Sequence, residues 1–463
     1  MTTKAPEQSA NTWEVRLAEH VTKLRYTDLP AHTIERTKTF ILDTISVGMA
    51  ATTVPEAQAL LLAIEADDPG GTVDIWGRQT QLTAPNAILI NAFNVHCQEY
   101  DCVHEGAVVH AMATLLPNLM AWAQTNGPVS GPDLITAAVA GIEVAAILGM
   151  AADEGMQFFR PATAGGFGAV AGLARLRGFT PEKLIAAWGY QLAQASGTMQ
   201  GHREGSPVLP LQVGFNARAA WQSCMLAQSP MASLAAPLSG PFGYLPLFER
   251  HYTIEPLLDQ LGQVWRIDEF SHKPYPSGRA THGGVEGLLN LIHTHKLDSN
   301  QIKSVTVTGP SLISRLVNRP PLREPSPNYA RLCMPYVLAK LMQHGCLEPQ
   351  HYRAHDLRDP TTYELATKVK MVVDDNPDPN AFTPQTVEVT MQNGQVWRTQ
   401  VTDMLASPKR PLNPEQRRAK FEQCCALAVN RPDDVQTFFN MLENLETSQD
   451  AGTVIKMSAG NQT

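Results

Sequence analysis

The chain has 463 residues, 43% hydrophobic and 17% charged, which excludes a disordered tail and exceeds what one hydrophobic core usually serves. Its net charge of −8 argues against a general nucleic-acid binder, which would present a basic face. Seven cysteines, odd in number and without a CxxC pair, suggest neither a zinc ribbon nor a disulfide framework and fit a reducing cytoplasm.

The polar stretch from Met1 to Asn11 carries no apolar signal core. Asn11 followed by Glu14 predicts a capped helix start, with Trp13, Leu17, Val21 and Leu24 at near-helical spacing. A second helix is predicted from Ala31 to Ala50. Further helical runs are predicted at 84–100, 110–124, 133–153, 163–178, 181–200 and 214–228. The most apolar run, Leu134 to Ala152, contains Glu143 and reads as a buried core helix rather than a membrane span. The small residues from Ala164 to Gly172 would let helix backbones approach closely.

The pattern changes after Trp265. Prolines interrupt it, and strand-like segments appear at 304–308 and 368–374. The alternating residues from Thr386 to Val401 flank Asn393-Gly394, predicting a hairpin with a type I′ turn. A helix is predicted near 329–343. Asn413-Pro414-Glu415 starts a helix over 414–429, a second covers 432–445, and the polar stretch from Thr447 reads as frayed. The expected fold class is mainly α with an α+β insert. Residues 1–267 and 409–463 would form a large all-helical domain, and residues 268–408 a smaller α+β lid.

Two clusters could carry chemistry. Glu99, Asp101, Cys102, His104, Glu105 and His110 combine imidazoles able to shuttle protons with acids able to orient them. His104-Glu105 lacks the second histidine of a zincin helix, so no metal is expected there. The second cluster is His272, Lys273, Tyr275, Ser277, Arg279 and His282, stiffened by Pro274 and Pro276. Cations beside a possible helix start could hold a carboxylate next to a base. The bare residues equally allow plain polar loops. Arg160, alone in an apolar setting, reads as an anion site or a structural salt bridge. His202-Arg203-Glu204-Gly205 reads as a solvated turn.

The segments Glu99 to His110, Arg160 to Gly168 and Lys273 to His282 resemble, in order and spacing, the MmgE/PrpD family over nearly the whole chain. That family includes 2-methylcitrate dehydratase, cis-aconitate decarboxylase and iminodisuccinate epimerase. The resemblance implies a metal-free, cofactor-free homodimer acting on a small di- or tricarboxylate at a site between the helical domain and the lid. The lack of a basic stripe or amphipathic anchor argues against a nucleic-acid or membrane partner. His110, His104, Asp101, Glu99, Lys273 and His282 would be catalytic, while Arg160, Arg279, Ser277 and Tyr275 would bind substrate. The dehydratase and decarboxylase branches carry His where this chain has Arg160, and Lys at about Leu209. Those differences argue against a cis-aconitate decarboxylase or a standard methylcitrate dehydratase. The expected reaction is proton abstraction α to a carboxylate, as a dehydratase-like lyase. An isomerase of the iminodisuccinate type and a non-catalytic carboxylate-binding protein are the alternatives.

Overall fold

Alanine, glycine and leucine at helical spacing dictate the first half of the chain, and the computed structural model, which describes residues 12–460, folds it helix upon helix. The predicted helix Ala31–Ala50 forms with those bounds. The first helix, Trp13–Lys23, has Thr12 at its N-cap; the expected cap Asn11 lies outside the described residues. Glu14 is buried and accepts from the Leu238 and Ser239 backbone N–H groups, so it secures a distant loop rather than closing a capping box.

The apolar helix Gly131–Met150 is long and apolar enough to cross a membrane, but it is buried among the other helices. It crosses Thr163–Leu176 where a Cβ on Gly168 would stand 2.5 Å from the Gly141 carbonyl oxygen. Only glycine permits that backbone approach. Inside Gly131–Met150, Glu143 accepts from the Arg266 backbone N–H at 2.6 Å, and burial raises its pKa to about 8.

The valine-rich segments after residue 300 form a four-stranded sheet in the order Val369–Val373, Ile302–Gly309, Gln385–Met391, Val396–Val401. The first pair is parallel and the others antiparallel. Val305, Val307, Val387 and Val389 are fully buried on one face, beneath the helices His282–His295 and Met334–His344. Each such side chain contributes about 1.5–3 kcal/mol. The apolar side chains divide into two cores. The larger joins residues near both chain ends, and the smaller lies almost wholly within residues 280–404. The protein is thus mainly helical with a smaller α+β part.

Several local expectations are corrected. The hairpin forms around Asn393-Gly394, but Met391 N–H bonds Gln395 O and only Gly394 has positive φ. The connection is therefore a three-residue loop closed by a left-handed glycine, not a type I′ turn. The helix expected near 329–343 is broken into Pro327–Arg331 and Met334–His344. As far as Gly460 the stretch after Thr447 is not frayed: Ala451–Ser458 forms a 3₁₀ helix whose Val454 and Ile455 are buried in the larger core. The helix expected to reach Tyr100 stops at His96. Glu99 there adopts φ 52°, in the left-handed region.

Candidate active site

A short antiparallel ladder assembles the site. Val103 pairs with Ser271 and His104 with Phe270, which lays the first polar cluster against the second. Lys273, fully buried, then reaches Glu99 Oε2 at 2.8 Å and Asp101 Oδ1 at 3.8 Å.

Asp101 is the hub. Its Oδ2 lies 3.0 Å from His96 Nδ1 and 3.0 Å from His110 Nδ1. An ionised carboxylate oxygen only accepts, so each ring carries its proton on Nδ1 and turns Nε2 to other partners. The rings meet edge to face with centroids 4.7 Å apart. Burial alone would raise the Asp101 pKa, but the two histidines outweigh it and hold the carboxyl well below its usual range. Glu99 likewise overcomes burial, chiefly through Lys273, and falls to about 2.

The two histidines differ. For His110 burial dominates, only partly opposed by Asp101, and the pKa falls. For His96 burial is outweighed by Asp101 and Glu99, and the pKa rises. Neighbouring groups pushed apart in this way are suited to divide base and acid roles.

Both rings line a cavity of about 50 Å³ between the helical part and the α+β part. Its wall is mainly apolar, with Val108, Met156, Phe159 and Leu209 among the lining residues. Glu99 and Val108, both on this wall, hold left-handed φ values of 52° and 53°. For a β-branched residue that conformation is a strained exception, worth about 1–3 kcal/mol.

Two donors face this cavity. Arg279 is anchored through Nε to Glu105 at 2.7 Å and through Nη1 to Leu405 O at 2.9 Å, leaving Nη2 without a partner. His202 accepts at Nδ1 from Arg319 and leaves Nε2 unpartnered. Burial, then Arg319, lowers the His202 pKa to about 4, so the ring stays neutral and its Nε2–H is a donor. The expected solvated turn at His202 is thus a buried part of the cavity wall.

Other expected site residues stand one layer back. His104 accepts at Nδ1 from Ala107 N–H and donates from Nε2 to Glu269 at 2.9 Å, which occupies both ring nitrogens. His282 receives Arg279 Nη1 at 3.2 Å and donates to Ser277 O at 3.3 Å, so it braces the arginine. Ser277 pairs with Thr281, and Tyr275 stands edge-on to His282. Arg160, expected to grip a carboxylate, instead meets Glu249 at 3.1 Å and the Glu154 carbonyl at 2.9 Å. Its neighbours Phe159 and Pro161 line the cavity in its place.

His96, missed by the sequence reading, sat inside an apolar helical run. Only its five-residue offset from Asp101 could have marked it. His96, Asp101 and His110 offer ligand atoms within 4.8 Å of one another, a grouping open to a cation. The Lys273 ammonium, 3.8 Å from Asp101, already supplies positive charge there, which disfavours a divalent ion.

The chain is similar along nearly its whole length to several known proteins. The chain is 24% identical to the cis-aconitate decarboxylase-like protein oryM of Aspergillus oryzae over 96% of each chain. It is 25% identical to a cis-aconitate decarboxylase of Aspergillus terreus over 93% of this chain and 92% of the relative. The human cis-aconitate decarboxylase is 23% identical over 94% of this chain and 92% of its own. The MmgE/PrpD N-terminal domain matches residues 15–256 and the MmgE/PrpD C-terminal domain residues 275–447, so the chain belongs to the MmgE/PrpD family.

Proposed function

We propose that this protein is a lyase that takes the proton α to a carboxylate and expels a β-leaving group, without a metal ion. The observation that carries the reading is Asp101 Oδ2 shared by two histidines of opposed pKa at one cavity. His110 Nε2 takes the α proton, the C–H electron pair becomes the new C=C bond, and the β C–O bond breaks. His96, whose pKa is raised, gives its proton to the departing oxygen, which leaves as water. Asp101 stabilises the imidazolium that forms on His110. Arg279 Nη2 and His202 Nε2–H hold the carboxylate. Lys273 acts through Glu99 and Asp101 rather than by touching substrate.

The relatives named as cis-aconitate decarboxylases support the lyase class. Leu209 and the inward-turned Arg160 set this cavity apart from the tricarboxylate end of the expected range. Among the described residues Arg279 is the one guanidinium on its lining, which favours a substrate gripped by one carboxylate. The test is proton NMR in D₂O of chelator-treated protein with a panel of small mono-, di- and tricarboxylates. New vinyl signals that vanish in His110→Ala support the reading. Deuterium entering an α position without a new double bond supports the isomerase alternative, with the same histidine pair returning the proton. Ligand binding with neither signal favours a carboxylate-binding protein, and vinyl product from His110→Ala removes the proposed base.

A further inference from the structure

A second, larger cleft of about 400 Å³ lies back to back with the active-site cavity. Its wall is partly apolar, through Val54, Pro327, Leu357 and Leu427. Between these residues sit polar atoms with nothing to bond. Gln98, Arg331 and Tyr352 are 2%, 3% and 3% exposed, and Gln98 Nε2, Arg331 Nε and Tyr352 Oη have no partner. All three residues line the cleft.

Arg331 is the decisive one. Its Nη1 bonds the Cys97 carbonyl at 3.1 Å and Asn328 Oδ1 at 3.3 Å, and its guanidinium lies 5.0 Å from the Tyr352 ring centroid. It forms no ion pair among the described residues. A buried cation with only neutral acceptors is poorly compensated, and an anion would complete it. Arg353 adds a second cation to the lining; Glu56 is the acid there, its Oε2 also without a partner, and among the described residues no ion pair joins it to either arginine.

We propose that this cleft binds an organic monoanion, with its carboxylate on Arg331, Gln98 and Tyr352 and its apolar body against Val54, Leu357 and Leu427. The site is distinct from the catalytic cavity but shares its wall. Gln98 faces the cleft while Glu99, the next residue, faces the cavity; Arg331 and Leu332 divide in the same way.

Hexanoate is the probe, with 1-hexanol as its neutral counterpart, titrated calorimetrically into the full chain. Hexanoate should bind and hexanol should not match it. Arg331→Gln should weaken hexanoate by about tenfold to a hundredfold, as expected for loss of a charged hydrogen bond. Because Arg331 also holds the Cys97 carbonyl, a second variant guards against misfolding. Ala354→Trp, at an exposed position on the cleft lining, should block the ligand. Leu316→Trp, which narrows only the catalytic cavity, should leave hexanoate binding unchanged. Loss of binding in Leu316→Trp but not in Ala354→Trp would place the anion in the catalytic cavity and overturn the proposal. Equal binding of hexanol would overturn the anion site. Dissociation of an oligomer by Ala354→Trp would make the cleft a subunit interface, and would overturn it as well.

Discussion

Replacing Asp101 by asparagine keeps the side-chain shape and removes the one atom on which the proposed chemistry turns. The carboxylate Oδ2 accepts from two imidazoles at 3.0 Å each. Because both rings meet the same atom, an amide either sets a neutral, weaker acceptor oxygen there and turns its NH₂ toward the Lys273 ammonium, or sets its NH₂ against both Nδ1–H groups. Each charge-assisted hydrogen bond contributes about 1.5–3 kcal/mol, and His110 also loses the anion that steadies its imidazolium in the transition state. A combined loss of about 3–5 kcal/mol lowers kcat by roughly 10² to 10⁴. KM should change little, since Arg279 and His202 are untouched. The assay is the rate of α-proton exchange or elimination in D₂O, with a thermal melt to verify folding. Nitrogen-15 NMR gives a substrate-free readout: the wild type should show protonated Nδ1 on both His96 and His110, and the variant should lose at least one. A kcat within about threefold of wild type, or a wild-type His110 protonated only on Nε2, would refute the reasoning.

His110 must be neutral to accept a proton, and burial holds its pKa below the ordinary 6.5 despite Asp101. Activity should therefore persist at pH 6.5 and fall only at more acid pH; the limb should move further toward acid in Asp101→Asn, and an acid limb above about pH 7 would contradict this. Glu143 keeps its proton in the folded chain up to a pKa of about 8, while the unfolded chain releases it near 4.5. The unfolded chain thus binds fewer protons in that window, and stability declines as pH rises through it. Glu143→Gln should flatten this decline and raise the melting temperature above about pH 8, by up to a few kcal/mol of stability. Leu209→Lys places an ammonium on the catalytic cavity and should improve binding of a second carboxylate by about tenfold, measured as the ratio of tricarboxylate to monocarboxylate affinity.

The sequence by itself determined the elements whose cause is local. Ala31–Ala50 forms with its predicted bounds because its apolar residues repeat at helical spacing. The hairpin from Gln385 to Val401 forms because alternating valines flank an Asn-Gly pair, though the turn type depended on which residue took positive φ. The family was legible, as were two separate polar clusters, one with Glu99, Asp101 and His110 and one with Lys273, because the residues of each are close along the chain. Tertiary structure decided the rest. Lys273 meets Glu99 across 174 residues and Arg160 meets Glu249 across 89, so neither partnership has a local signal. His104 and His110 look alike in sequence, but a glutamate 165 residues away occupies one and an open cavity receives the other. His96 and His202 joined the site only when separate segments closed around them. A residue's charge state, free ring nitrogen and access to substrate depend on burial and on distant partners, and those exist only after the chain has packed.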